Sequence, residues 1–511
     1  MPGYDPTDEQ RRILNHDPNH AARLLAGPGT GKSTTMVALV DSLLHRDNTQ
    51  RIRFLTFTRA ATSELAGKLV DRGASETLRP STIHSFSISV LLRNPGCGGF
   101  PEPLRIADSW ENDNIVRPTL ARRLDVPVRT LNKLVKEMAA NWQSLEQEAN
   151  SDVTEDQRSR FLGAWDEHRR VYGYTLLDEL PYCLRRALRD HDDLEGIEYD
   201  LIIVDEYQDL NACDLEVLTL LRDRGGCRII GCGDDDQSIY SWRKAAPEGI
   251  RRFASDYPGS VDYPLSVTLR CGQRIIDWAN YVIQGDPSRP RDRGILSCLP
   301  GSPLGEVAFL SFPGDMSEAK GVAALTNGLI EKEGLHPADI LILMRSDYCG
   351  TFSRQIKEEL AKLDITVSDP NYITSLLADT ANRMALEEFR LLVNKTDSLA
   401  WSAILRLTTG IGHTFFEYVY KRCLTNGTTF AEELLSLYND GFPDGPRSPS
   451  GKASDAILAV LNWLDRNSIP DERPVEGWGA WIIDASGGEV VSQMTGDFAT
   501  LLKDLARIIH E

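Results

Sequence analysis

The segment RLLAGPGTGKSTTMVALVDSLLHR, residues 23–46, constrains this chain more than any other stretch. A short apolar run enters a glycine-rich turn and leaves it as a segment with helical periodicity, which predicts strand, turn and helix in that order. A strand that feeds directly into a helix commits the chain to parallel pairing, because parallel strands need crossover connections. Further buried strands are predicted at IRFLTF (52–57), DLIIVDE (200–206) and CRIIGCG (227–233), with a helix between the last two. Runs this apolar belong to a parallel sheet covered on both faces.

The turn itself reads Ala26-Gly27-Pro28-Gly29-Thr30-Gly31-Lys32-Ser33, a phosphate-binding pattern with Ala in place of the first glycine. Glycines let backbone N–H groups curl around a phosphate, and the following helix turns its positive end toward the same anion. Lys32 is expected to reach the β- and γ-phosphates, and the Ser33 hydroxyl to hold Mg²⁺. A glycine turn of no function is the bland alternative, and the strand before and helix after argue against it. In LIIVDEYQD (201–209) a buried strand ends in two acids. Asp205 is expected to hold Mg²⁺ through its water shell, and Glu206 to orient and deprotonate an attacking water. Alone, such acids could cap the next helix. In GDDDQSIYSWR (233–243), Gln237 is a neutral group able to sense a γ-phosphate, with Tyr240, Trp242 and Arg243 just beyond. Aromatic and basic side chains so close to a nucleotide sensor suit a stacking platform for bases; core aromatics are the competing reading.

The formal net charge of −19 argues against an extended phosphate-binding surface. One local exception is Arg117 to Lys136, with Arg117, Arg122, Arg123, Arg129, Lys133 and Lys136 against Asp125 alone. A solvated helix face explains it equally well. The nine cysteines include no CxxC pair, and the start, MPGYDPTDEQRR, has no apolar signal core. With no apolar run long enough to span a bilayer, a cytoplasmic protein without a membrane partner is expected.

Residues 88–190 are rich in helical pattern, as in TLNKLVKEMAANWQSL, and read as an insertion into the first domain, residues 1–87 and 191–260. A second α/β unit is predicted over 261–371, with strands at EVAFLSF, DILILM and ITV and helices over 319–333 and 353–363. From residue 372 to 511 the pattern is again helical.

In this order, the motifs resemble the UvrD/Rep/PcrA group of superfamily-one helicases. Thr7-Asp8-Glu9-Gln10 resembles the family's adenine-reading glutamine motif. Thr56-Phe57-Thr58-Arg59-Ala60 and Thr82-Ile83-His84-Ser85-Phe86 resemble its DNA-contacting segments. Arg270, in LSVTLRCG, matches an arginine sent to the γ-phosphate, and EEFRLLVNKTDSLAW (387–401) with Gly410–Gly412 resembles the second insertion. The resemblance implies two RecA-like parallel-sheet P-loop domains, each with a mainly helical insertion. ATP and Mg²⁺ would sit between them. ATP would be held by Gln10 and Ala26 through Thr34, and the cycle would drive 3′–5′ movement on single-stranded or 3′-tailed duplex DNA. Phe57, Thr58, Arg59, His84, Tyr240, Trp242 and Arg243 become DNA contacts. A metabolic P-loop kinase would not explain GDDDQSIYSWR or the second α/β unit.

Three departures from the family pattern stand out. Leu269 replaces a tyrosine that stacks on adenine, and Thr34 stands where many relatives carry a basic residue. Two later motifs, of the forms TxHxxKGLE and YVAxTRA, are not found before the final LKDLARIIHE. The second RecA-like domain is therefore expected to be incomplete, with a second polypeptide completing it or a nuclease as partner. The alternative function is an ATP- and DNA-binding subunit or sensor of a repair or phage-defence complex, with little unwinding of its own.

Overall fold

The computed structural model describes residues 5–70, 78, 80–146, 152–239, 244–290, 293–347, 350–369, 376–442 and 450–467. It divides into two compact units, Met1–Gly305 with Thr380–Glu511, and Glu306–Asp379.

The larger unit is built on the predicted parallel sheet. Its strands are β1 (Ala22–Ala26), β2 (Ile52–Thr56), β3 (Ser81–Thr82), β4 (Leu201–Val204), β5 (Arg228–Gly233) and β6 (Val261–Leu265), in the spatial order β3-β2-β4-β5-β1-β6. Every pairing is parallel. Leu24, Ile202, Ile203, Ile229 and Ile230 are fully buried or nearly so, as expected for strands covered on both faces. Helix α1 (Asp8–Leu14) opens on a capping box between Thr7 and Gln10, and α2 (Lys32–Arg46) follows the glycine-rich turn.

Two boundaries differ from those the sequence predicts. Val261–Leu265 does not open a second unit; it closes this sheet by pairing with β1, Ala22 opposite Val261. The helices Ile83–Arg93 and Leu180–Asp190 fall largely within the predicted insertion, 88–190, yet Val90, Leu91, Leu180, Leu184 and Leu188 join the sheet's own core. Their apolar stripes face the sheet, so the separate helical body starts near Ala107 and ends near Leu176.

That body does not stand alone. Its Trp165 and Tyr172 share one buried cluster with Trp401, Phe416 and Phe430 of the later helical region. Tyr172 and Phe430 stack with ring centroids 5.2 Å apart. A buried ion network crosses the same boundary. Arg105 donates to Asp397 at 2.6 Å, Arg383 to Asp108 at 2.7 Å, and Arg390 to Glu111 at 2.9 Å. Glu111 and Glu387 are wholly buried and Arg383 is 1% exposed, so each charge needs its partners.

The smaller unit holds the expected helices, Asp315–Glu333 and Ser353–Ala361. Among the described residues, the predicted strands at 306–312, 339–344 and 365–367 take part in no β-ladder. Phe309, Leu310, Leu341 and Leu343 are 62–81% exposed. An apolar extended segment becomes a strand only when a neighbour takes up its N–H and C=O groups. Among the described residues, the short ladder of Val267–Thr268 (β7) with Ser297–Cys298 (β8) outside the main sheet lies in the larger unit.

Candidate nucleotide and nucleic-acid sites

Strands β1, β5 and β4 are neighbours, and each carries one motif at its C-terminal end: the glycine-rich turn after Ala26, Asp205–Glu206 after Val204, and Asp234–Gln237 after Gly233. Ligands in open parallel sheets bind at this edge. Gly29 and Gly31 have φ of 72° and 79°. A Cβ at Gly31 would lie 2.7 Å from the Gln10 amide nitrogen, and one at Gly29 would lie 2.6 Å from Thr268 Oγ1 and Arg270 Cβ. Both positions require glycine for conformation and for space.

Lys32 begins α2 and lies between the two acids, its Nζ 2.7 Å from Glu206 and 3.5 Å from Asp205. Burial weighs against the ammonium charge, but the two carboxylates outweigh it and raise the Lys32 pKa. Burial lifts Asp205 above the usual carboxylate range against the pull of Lys32. Asp209 is pushed up to about 7 by burial and by the Glu206 carboxylate. Glu206 has a left-handed backbone, φ 52°, an uncommon and costly conformation for a non-glycine residue. Gln208 steadies it by donating Nε2–H to Glu206 at 2.8 Å and accepting the Asp234 N–H at 3.0 Å. Gln237 donates to Asp234 at 2.7 Å. Lys32, Asp205, Glu206 and Gln237 are thus joined through Gln208 and Asp234. The Ser33 hydroxyl and the Asp205 carboxylate are hard oxygen donors. They suit Mg²⁺, which needs only one or two protein oxygens when phosphate and water supply the rest.

Gln10 reaches the loop, but both ends of its amide are engaged. Nε2 donates to Thr30 O and Oε1 accepts the Thr7 N–H, each at 3.0 Å. It is 1% exposed and pins α1 to the phosphate loop, a structural role the motif did not reveal. Leu269 lies on the other side, its N–H bonded to Gly29 O at 2.8 Å and its side chain 47% exposed.

Among the expected DNA contacts, Phe57 and His84 line one crevice. Thr58 caps the helix that follows β2, its hydroxyl accepting the Ala61 N–H at 3.1 Å. Tyr240, Trp242 and Arg243 lie outside the described residues, as does the side chain of Arg59. The sequence did not single out two residues of the same crevice, Trp142 and Tyr182, whose rings stack 6.5 Å apart at 29°. The pair also forms a wall of an adjoining groove of about 480 Å³. A tryptophan on the helix Val128–Ser144, just beyond the basic stretch, was the available signal. In that stretch, Arg117, Arg123 and Lys133 are paired with Asp113, Glu167 and Asp152, so half of its charge is already neutralised.

Residues 6–258 match the model of the UvrD/REP helicase N-terminal domain. Over those residues the chain is similar to the UvrD/REP helicases. Among curated UvrD/REP-type relatives, it is 26% identical to the ATP-dependent DNA helicase Rep of Salmonella typhimurium, covering 94% of this chain and 74% of that one. It is 24% identical to the ATP-dependent DNA helicase PcrA of Bacillus subtilis, covering 86% and 60%. It is 25% identical to a probable DNA helicase II homolog of Mycoplasma capricolum, covering 69% and 50%. The chain thus spans between half and three quarters of the length of these UvrD/REP relatives. Among its described residues, no helix is long and apolar enough to cross a membrane.

Proposed function

We propose that the chain is an ATP-driven motor on single-stranded DNA that moves 3′–5′, acts on 3′-tailed duplexes and works in the cytoplasm. The observation that carries this reading is the placement of Lys32 against Asp205 and Glu206 beside a glycine cradle, at the ligand-binding edge of a parallel sheet. Bound Mg²⁺, held by Ser33 and Asp205, would neutralise phosphate charge. Lys32 leaves its carboxylate partners to meet the β- and γ-phosphates, which frees Glu206 to accept a proton from the attacking water. Gln237 exchanges Asp234 for the γ-phosphate and so reports whether it is present. Arg270, whose Cβ lies over Gly29, is the candidate for charge stabilisation from the far side of the nucleotide. Phe57 and His84 supply stacking faces for bases, and Trp142 and Tyr182 extend them; Trp242 takes the same role on the strength of its motif alone.

A second reading is an ATP- and DNA-binding subunit. The exposed apolar side chains of Leu310, Leu341 and Leu343 favour it, because exposed apolar surface invites a partner chain. Strand displacement by the chain alone tests the two readings. The motor reading expects unwinding of a duplex with a 3′ tail and none with a 5′ tail. Unwinding that requires an added second polypeptide would favour the subunit reading.

A further inference from the structure

Three carboxylates follow β5 in succession, and three guanidinium groups neutralise them. Arg251 donates Nε–H to Asp235 at 2.9 Å. Arg289 holds both oxygens of Asp236, at 2.8 and 3.1 Å. Arg293 donates to Asp234 at 3.0 Å and lies 3.3 Å from Asp235. These six side chains are 3–18% exposed, so the cluster is nearly dry and charge-balanced. Two of its three positive charges, Arg289 and Arg293, come from the segment that leads toward β8. Losing both would leave the buried carboxylates of Asp234 and Asp236 without a cation.

The segment is tied to both sides of the nucleotide site. Asp234 gives one oxygen to Arg293 and the other to the Gln237 amide. A few residues beyond Arg293, Leu296 lies against the phosphate-loop residue Gly27, and Ser297–Cys298 pair with Val267–Thr268. Asn280 fixes the Leu296 backbone by donating to its carbonyl at 2.9 Å. The β7 strand then leads directly to Leu269 and Arg270 over Gly29. One ion pair therefore stands between the γ-phosphate sensor and the strand that carries the candidate arginine finger.

We infer that Arg293, supported by Arg289, is a positioning element that fixes the Arg270-bearing strand relative to the Gln237 sensor. It touches no reactant. It rests on the proposed ATPase reading, and it predicts an effect on turnover rather than on nucleotide affinity. When Gln237 leaves Asp234 for a γ-phosphate, Arg293 keeps Asp234 paired, so the strand stays in register.

The test compares Arg293→Gln, Arg293→Lys and Arg289→Gln in the full chain. Two readouts are ATP turnover with single-stranded DNA and hydrogen exchange at Val267–Arg270. Misplacing a catalytic group by about an ångström can cost about 100-fold. Arg293→Gln is therefore expected to lower kcat by about 10- to 100-fold with the KM for ATP changed less than about 2-fold. Arg293→Lys should recover part of that loss because it keeps a charge on Asp234. Exchange at Val267–Arg270 should quicken in Arg293→Gln and, less so, in Arg289→Gln. Unchanged kcat with a lowered thermal midpoint would make the cluster merely structural and overturn the inference. Unchanged exchange at Val267–Arg270 would overturn it too. If the parent chain failed to hydrolyse ATP, the ATPase reading would fall, while the exchange measurement would still decide whether the clamp holds the strand.

Discussion

Replacing Lys32 with alanine should do two separable things. In turnover, it removes the principal side-chain cation expected on the transferring phosphoryl group. Such contacts are worth about 3–4 kcal/mol at the transition state, or about 10²–10³ in rate. In stability, it removes the shared partner of two acids. Asp205 is 3% exposed and Glu206 28%, with Lys32 at 3.5 and 2.7 Å. Breaking a buried pair costs about 3–5 kcal/mol, and the partial exposure of Glu206 places this case near the low end. The stability loss should depend on pH. Burial already holds the folded-state pKa of Asp205 above its ordinary value, with Lys32 pulling it down. Without Lys32 it rises further. A carboxyl with a raised folded pKa costs no stability below its unfolded pKa, and the cost grows as pH climbs toward the folded pKa. Asp209, at about 7, is also pulled down by Lys32, so the loss of Lys32 raises it as well and adds to the same trend. Thermal midpoints from pH 4 to pH 8 should show the gap between parent and variant smallest at pH 4 and widest at pH 8. A gap that does not change with pH would refute the ion-pair reasoning, and unaltered ATP turnover would remove Lys32 from the site.

Other variants probe the remaining parts. Glu206→Gln keeps the shape but loses the base, so it should bind a fluorescent ATP analogue normally and hydrolyse ATP at least about 100-fold more slowly. Leu269→Tyr adds a π-face beside the phosphate loop and should lower the KM for ATP several-fold; an unchanged KM would place the adenine elsewhere. Trp142→Ala should weaken single-stranded DNA binding by about 1–3 kcal/mol, with recovery in Trp142→Phe and little change in ATP binding. Equal DNA affinity for all three chains in a fluorescence-anisotropy titration would return Trp142 to a purely structural role.

The candidate nucleotide site was legible because its chemistry lies in contiguous motifs, each ending a strongly apolar strand. A glycine turn or an acid pair at a strand end is a local signal. The strand Val261–Leu265 was harder to place. It carries Asp262 and Pro264 and is largely exposed, as an edge strand can be, so its pattern does not say which sheet it closes. The union of the two helical regions was not legible at all. Arg105, Asp108, Glu111, Arg383, Glu387 and Arg390 read as ordinary surface charges until the fold brings residues almost 300 positions apart together. Trp142 and Tyr182 were hidden for the same reason, since the chain between them contributes nothing that links them. The apolar runs at 306–312 and 340–344 mislead in the opposite way. Their composition is that of buried strands, but composition cannot supply the neighbour that a ladder needs.

ATP turnover with and without an oligothymidylate decides whether the proposed phosphate-loop site is an ATPase governed by single-stranded DNA. Hydrolysis by the chain alone should be slow and should rise several-fold or more on adding the strand, and both rates should be lost in Lys32→Ala. A rate indifferent to the strand, or one that survives in Lys32→Ala, would contradict that reading.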